Sequence, residues 1–196
     1  MRTASSTNVS NLPNILTIVR IACIPPVVVF LNFPGKVGSL LAGICFGLAF
    51  VTDILDGFFA RRYGAVTTFG KFLDPLADKI LVTVTMIMLI PLERIPVWMV
   101  IVIVTREMAV TGLRAVAVKE GIVIQARVLG KYKTILQSVA LAGLCVHYTY
   151  FGLNFHKIGM VVLWAALILT VWSGWEYFRQ FSRRVFSPRG QQGPSS

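Results

Sequence analysis

The chain contains six long apolar stretches, which indicate whether it is a soluble protein or a membrane protein. A helix needs roughly 20 apolar residues to cross a hydrocarbon core of about 30 Å. The sequence has 56% hydrophobic and 14% charged residues and a mean hydropathy of +0.74. Its apolar stretches are too long for the core of one soluble domain. We therefore predict an all-α, polytopic membrane protein with six transmembrane helices. The predicted spans are about 13–32, 38–62, 70–91, 96–118, 130–150 and 158–180.

The basic residues are distributed unevenly between the two sides of these spans. The net charge of +11 would by itself permit nucleic-acid binding. However, Lys36, Arg94 and Lys157 are the only basic residues in the three loops on one side, and the other 16 of the 19 fall at the termini, in the second and fourth loops, or at adjoining helix ends. The positive-inside rule then predicts that both termini are cytoplasmic. We expect contact with lipid headgroups and no nucleic-acid partner.

The two ends of the chain differ from the middle. Residues 1–10 are polar and carry no apolar core of the signal-peptide type, so we predict no cleaved signal. Residues 11–182 form the predicted membrane domain. Residues 183–196 form a basic tail rich in Pro, Gly, Ser and Gln, which we predict to be disordered.

Four of the eight acidic residues lie between Val51 and Lys79. Asp53 and Asp56 begin a set of residues that covers an arc of roughly 140° on one helix face. A second set, with its members four residues apart, covers an arc of roughly 80°. The first face continues with Gly57, Ala60 and Arg61, and the second contains Gly70, Asp74 and Asp78. The simplest geometry is two antiparallel helices that present carboxylates to each other. Because desolvation and like-charge repulsion oppose the ionisation of four such groups, the pattern predicts a divalent metal cluster. The active site should then lie at the cytoplasmic membrane interface.

The same residues match the pattern DxxDGxxAR, eight residues, then GxxxDxxxD at every fixed position. In this the chain resembles the CDP-alcohol phosphatidyltransferase family. The resemblance implies that two divalent ions, Mg²⁺ or Mn²⁺, are held by Asp53, Asp56 and Asp74, and that Asp78 contacts metal and acts as general base. It also implies a site for the cytidine diphosphate group bordered by Asp56, Gly57, Ala60, Arg61 and Gly70.

The chemistry of pyrophosphate cleavage agrees with this set. Two metals would neutralise charge on the transferred and departing phosphates, Arg61 would donate to the leaving phosphate, and Asp78 could take the proton of the attacking hydroxyl. A divalent-cation transporter and a nonenzymatic lipid-binding scaffold are the alternatives from other classes. Transport would not require Arg61 and the glycines at these spacings.

The segment NLPNILTIVR, residues 11–20, carries polar side chains into the first span. Asn14 and Thr17 are candidates for binding the cytidine diphosphate group, and Arg20 is a candidate for a substrate role. Helix capping and snorkelling to the interface explain the same residues without a ligand. Both interpretations are open at this point.

A second basic group lies in the other half of the chain. Arg106 and Arg114 share a helix face at i and i+8, Glu107 could orient a guanidinium, and Lys131 and Lys133 follow in the next span. Such a pocket suits an acceptor that carries its own phosphate. Anchoring at a helix boundary is the alternative, and it explains Arg106 poorly because that residue should lie deeper.

The strings NLPNILTIVR, TREMAVTGLR and GKYKT resemble the bacterial members of the family that use glycerol 3-phosphate. This resemblance covers roughly residues 11–180. It implies transfer of a phosphatidyl group from CDP-diacylglycerol to glycerol 3-phosphate with release of CMP, in a homodimer of the bacterial inner membrane. Inositol phosphate is the rival acceptor within the family.

Overall fold

The computed structural model describes residues 12–33, 35–63, 68–119 and 128–185. Within these ranges some residues are described by their backbone alone. They are residues 12–17, 53, 55–63, 68–75, 78, 118, 128, 129, 131, 184 and 185.

Six helices account for most of the described chain. They are α1 (Leu12–Asn32), α2 (Lys36–Tyr63), α3 (Thr68–Leu89), α4 (Val97–Lys119), α5 (Val128–Val146) and α6 (Phe155–Val185). A hairpin of two short antiparallel strands, β1 (Thr149–Tyr150) and β2 (Leu153–Asn154), joins α5 to α6. The prediction of a helical protein is confirmed. The fifth helix ends four residues before the predicted boundary because the chain turns into this hairpin, where His147 and Phe151 have positive φ.

The helices pack around one apolar core. Helix α1 lies against α2 and α3, α2 also lies against α5, and α6 lies against both α4 and α5. All six helices contribute fully buried apolar side chains; among the largest are Phe46, Met86, Met99, Leu141 and Leu163. Close packing of these side chains gives the van der Waals contacts that stabilise the bundle.

Small residues allow two of the helix pairs to approach closely. A β carbon added at Gly43 of α2 would overlap Cγ2 of Val146 in α5, and one added at Gly143 of α5 would lie 3.3 Å from Cα of Gly159 in α6. Both glycines thus serve packing within the chain. Small residues at such positions are typical of helix contacts in membrane proteins.

Arg94, in the loop between α3 and α4, is hydrogen-bonded to the C-terminal turn of α5. It is 7% exposed, and its guanidinium donates to the backbone carbonyls of Leu144 (3.4 Å) and Cys145 (2.7 Å) and to Oγ of Ser39 in α2 (2.6 Å). The last carbonyls of a helix have no partner within that helix, so a cation here caps α5 and opposes its dipole. Burial lowers the pKa of Arg94, while the neighbouring Cys145 and Tyr148 act in the opposite direction. We call this end of the bundle, with the loop 90–96 and the segment 147–154, the hairpin end.

One helix in the described part of the chain meets the length and composition expected of a membrane span, Phe155–Arg183. Shorter apolar segments occur at Ile18–Asn32, Lys36–Thr52, Lys79–Leu89 and Tyr132–Val146. Many large apolar side chains are exposed on the outer surface of the bundle, including Val37, Val161, Ile168, Trp172 and Trp175. Many exposed large apolar side chains on one protein indicate a surface that contacts lipid or protein.

Candidate active site

The two halves of the aspartate motif lie on consecutive helices. Asp53 and Asp56 belong to α2, which runs to Tyr63, and Asp74 and Asp78 belong to α3, which begins at Thr68. The predicted helical setting of both halves is therefore present. The four carboxylates, and the side chains of Ala60 and Arg61 with the surroundings of Gly57 and Gly70, lie outside the described side chains. Their metal and nucleotide roles stay predictions.

The donor set of the motif fits a hard divalent cation. Four carboxylates at i and i+3 on one helix and at i and i+4 on the next offer oxygen ligands alone, which Mg²⁺ and Mn²⁺ prefer. Successive members of each pair share a helix face. The residues of this chain therefore fit the ions that the resemblance implies.

A cluster of charged side chains lies where α4 meets α5. Nζ of Lys133 in α5 donates to Oε2 of Glu107 in α4, and Nη1 of Arg106 donates to the same oxygen at 3.2 Å. The side chains of Lys133 and Arg106 are 6% and 14% exposed, so their charges are largely removed from solvent. One carboxylate thus brings together two of the four cations predicted to bind the acceptor's phosphate.

Lys79 connects this cluster to the aspartate motif. Its Nζ donates to Oγ1 of Thr111 at 2.6 Å, and Thr111 in turn donates from Oγ1 to the backbone carbonyl of Glu107 at 2.8 Å. Lys79 directly follows Asp78 in α3. The end of the motif is therefore bonded to the turn of α4 that carries Glu107. Sequence analysis did not single out Lys79, although its place next to the motif was a signal.

A small cavity of about 40 Å³ adjoins the cluster between α3, α4 and α5. Its polar lining is Lys79, Thr83, Glu107, Thr134 and Gln137, and the remaining lining residues are apolar. A space of this size holds one or two water molecules. It extends the polar interior from the charged cluster toward the middle of the bundle.

Arg106 also contacts α6, which sequence analysis left out of the site. Its Nη2 donates to Oγ of Ser173 at 2.7 Å, and Gly174 lies against its side chain. A serine and a glycine within a long apolar helix gave no chemical signal in the sequence. The useful signal was that adjacent small residues in such a helix mark close helix contact.

The other predicted binding residues are described to different degrees. Arg114 is exposed and lies two turns beyond Arg106 on α4, where the positive charges of the two side chains repel each other. The side chains of Lys131, Asn14 and Thr17 lie outside those that the structure describes. Arg20 is 1% exposed on α1, which excludes snorkelling to an interface as the explanation of this residue.

Comparison with known proteins gives one family and many relatives. The model of the CDP-alcohol phosphatidyltransferase family matches residues 10–172. A Bacillus subtilis protein named CDP-diacylglycerol–glycerol-3-phosphate 3-phosphatidyltransferase is 46% identical, with 86% of this chain and 93% of that protein covered. A Rickettsia bellii protein of the same name is 38% identical, with 86% and 94% covered. A Mycobacterium tuberculosis protein named probable phosphatidylglycerophosphate synthase is 38% identical, with 93% and 87% covered. The chain, with its intact aspartate motif on α2 and α3, belongs to the CDP-alcohol phosphatidyltransferase family.

Proposed function

We propose that this protein transfers the phosphatidyl group of CDP-diacylglycerol to glycerol 3-phosphate and releases CMP, as a phosphatidylglycerophosphate synthase. One observation carries the proposal. Lys79, which directly follows Asp78, donates to Thr111, and Thr111 donates to the backbone carbonyl of Glu107. The carboxylate of Glu107 binds two of the cations. A phosphoryl-transfer motif and a cation cluster suited to a phosphate are thus neighbours. The names of the relatives at 38–46% identity agree with this reaction.

The reaction forms one bond and breaks one bond at the same phosphorus. The primary hydroxyl of glycerol 3-phosphate attacks the phosphorus that carries diacylglycerol, and the bond from that phosphorus to the oxygen of CMP breaks. Asp78 accepts the proton of the attacking hydroxyl, a role that typically contributes 10²- to 10⁴-fold. Arg61 donates to the departing phosphate. Asn14, Thr17, Asp56, Gly57, Ala60 and Gly70 surround the cytidine diphosphate group.

Divalent ions supply charge neutralisation on the phosphates. Asp53, Asp56, Asp74 and Asp78 would hold two of them, Mg²⁺ or Mn²⁺. Lys79, which follows Asp78 in sequence, donates to Thr111, so its ammonium group is held toward α4.

Arg106, Arg114, Lys131 and Lys133 bind the phosphate of the acceptor. Arg106 and Lys133 carry two positive charges in a nearly buried setting, and Glu107 balances only one of them. A buried positive excess favours an anionic ligand. Serine, choline or ethanolamine would not compensate this charge.

The six helices cross the bacterial inner membrane, with both termini and the active site on the cytoplasmic side. The shortest, α5, has 19 residues and spans about 28 Å, so each helix is long enough for a core of about 30 Å with slight thinning. The protein forms a homodimer, as the family resemblance implies. Crosslinking in native membranes that yields only monomer would contradict the dimer.

The decisive experiment offers the purified protein labelled CDP-diacylglycerol with Mg²⁺ and, in parallel, glycerol 3-phosphate, inositol phosphate, glycerol, serine and phosphatidylglycerol. We expect CMP release and a labelled lipid product with glycerol 3-phosphate, and neither without a divalent ion. Preference for another acceptor would overturn the acceptor assignment while leaving the reaction class intact. Divalent-cation flux in proteoliposomes without CMP release would overturn the reaction class.

A further inference from the structure

We propose that Ser173 and Gly174 of α6 are positioning residues that hold the guanidinium of Arg106 for the acceptor's phosphate. The inference rests on the proposed function, because it takes Arg106 as a ligand of that phosphate. It adds a helix that contains none of the predicted site residues. The separation in sequence between Arg106 and Ser173 is 67 residues.

The hydroxyl of Ser173 is oriented to accept from Arg106. Its single proton is directed to the backbone carbonyl of Leu169 at 2.6 Å, with the carbonyl of Thr170 at 3.2 Å. A hydroxyl that has donated its proton keeps only its lone pairs. Nη2 of Arg106 approaches this oxygen at 2.7 Å, so the bond fixes the direction of one arm of the guanidinium.

Gly174 provides the space in which the side chain lies. A β carbon at this position would be 3.0 Å from both Cγ and Nε of Arg106. Real side chains rarely approach so closely, so even alanine would push the arginine away from α6. The stem and the head of Arg106 are thus placed by two consecutive residues of the same helix.

Together with Glu107, these contacts hold three sides of the guanidinium. Glu107 accepts from Nη1, Ser173 accepts from Nη2, and Gly174 faces Nε. An arginine side chain loses much rotamer freedom when it is ordered. Ordering Arg106 before the acceptor arrives removes that cost from binding, which is the general basis of preorganisation.

Two further polar residues lie on the side of α6 that carries Ser173. Thr170 and Tyr177 lie at i−3 and i+4 from Ser173, so the three share one side of the helix. Thr170 is 0% and Tyr177 is 9% exposed, and their hydroxyl oxygens have no hydrogen-bond partner among the residues that the structure describes. Buried hydroxyls are normally paired. Both hydroxyls are thus available to a polar group near Ser173.

The test compares two Michaelis constants, measured on the full-length protein in detergent or vesicles with Mg²⁺. Ser173→Ala and Gly174→Ala should each raise KM for glycerol 3-phosphate by about three- to tenfold, because Arg106 is kept and only its placement is lost, an effect of the size of one ordinary hydrogen bond. KM for CDP-diacylglycerol should not change. Ser173→Thr keeps the hydroxyl and should restore most of the loss. Ser182→Ala, a half-buried serine on the same helix, is the matched control and should behave as the parent protein.

A double-mutant cycle separates positioning from general damage. In an Arg106→Ala background, Ser173→Ala and Gly174→Ala should have no further effect on KM, because coupled residues are not additive. If Arg106→Ala leaves KM for glycerol 3-phosphate unchanged, the acceptor assignment of the proposed function fails. If Arg106→Ala raises KM while neither α6 variant does, or if their effects add to it in full, this inference alone is overturned.

Discussion

Nζ of Lys79 lies 2.6 Å from Oγ1 of Thr111, so the residue after the last aspartate of the motif is hydrogen-bonded to α4. Thr111 in turn donates to the backbone carbonyl of Glu107, and the carboxylate of Glu107 accepts hydrogen bonds from Lys133 and Arg106. Glu107 and Lys133, 26 positions apart in sequence, join α4 to α5, and Lys79 adds α3 to the same cluster. This arrangement explains why acceptor binding and proton transfer are expected to occur at adjacent places in the bundle.

The first prediction separates the roles of the aspartates. Asp78→Asn should lower kcat by about 10²- to 10⁴-fold, because the general base is lost, while metal-dependent binding of CDP is largely kept. Asp53→Asn, Asp56→Asn and Asp74→Asn should weaken that binding as well. CMP release measures turnover, and calorimetry with CDP and Mn²⁺ measures binding. Full activity of Asp78→Asn would place the base elsewhere.

The second prediction concerns Arg114. Losing a charge-assisted contact to a bound anion costs about 1.5–3 kcal/mol, so Arg114→Ala should lower the rate at subsaturating glycerol 3-phosphate by roughly tenfold or more. The affinity for CDP-diacylglycerol should stay the same. Lys119→Ala removes another exposed cation of α4 and is the control. An equal effect of both variants would mean that general electrostatics, and not a phosphate contact, is at work.

The third prediction concerns stability at the hairpin end. Arg94→Ala should lower the free energy of unfolding by about 2–5 kcal/mol, because the carbonyls of Leu144 and Cys145 and the hydroxyl of Ser39 lose a buried donor. The kinetic constants of the protein that stays folded should not change. Thermal unfolding in detergent measures the first effect, with the exposed Lys157→Ala as control. A change in KM without a loss of stability would show that Arg94 acts on the site.

The fourth prediction concerns the contact of α2 with α5. Gly43→Ala should destabilise the protein by about 1–3 kcal/mol, since the new methyl group overlaps Cγ2 of Val146. Gly43→Ala combined with Val146→Ala should regain most of this loss. The oligomeric state, measured by light scattering, should be the same in all three proteins. If Gly43→Ala changes only the oligomeric state, this glycine belongs to an interface between chains.

The fifth prediction tests the membrane topology. Phe151 is fully exposed at the tip of the hairpin, and Arg183 is exposed near the end of α6. In a variant without Cys23, Cys45 and Cys145, Phe151→Cys should react with an impermeant maleimide from the outside of spheroplasts, and Arg183→Cys only in inside-out vesicles. Labelling of both from one side would contradict the proposed crossing of α6.

Helix positions were predictable because the sequence signal for them is long and repetitive. Each of the six helices falls on a predicted apolar stretch, and the aspartate motif lies on α2 and α3 as expected. The hairpin was missed because its strands have two residues each, too few for an alternating pattern to appear. The left-handed backbone of Phe151 could not be predicted, because phenylalanine usually avoids that conformation.

The candidate site was predictable only in its charges. An aspartate motif and four cations stand out in an apolar chain, and the pairing of Arg106 with Glu107 follows from their adjacency. The sequence cannot show that Arg106 turns toward α6, because this depends on how α4 and α6 are packed. Arg94 was interpreted only as a loop charge, yet it caps α5, since its partners are backbone carbonyls that any sequence would carry.

Ser173 and Gly174 are flanked in sequence by Trp172 and Trp175, both of which face outward from α6. Indole side chains settle at the boundary between hydrocarbon and headgroups, so in a bilayer they would fix the depth of this helix. The depth of α6 relative to α4 in turn sets where Arg106 is held. A shift of α6 along its axis relative to α4 would therefore displace the guanidinium of Arg106 together with Ser173.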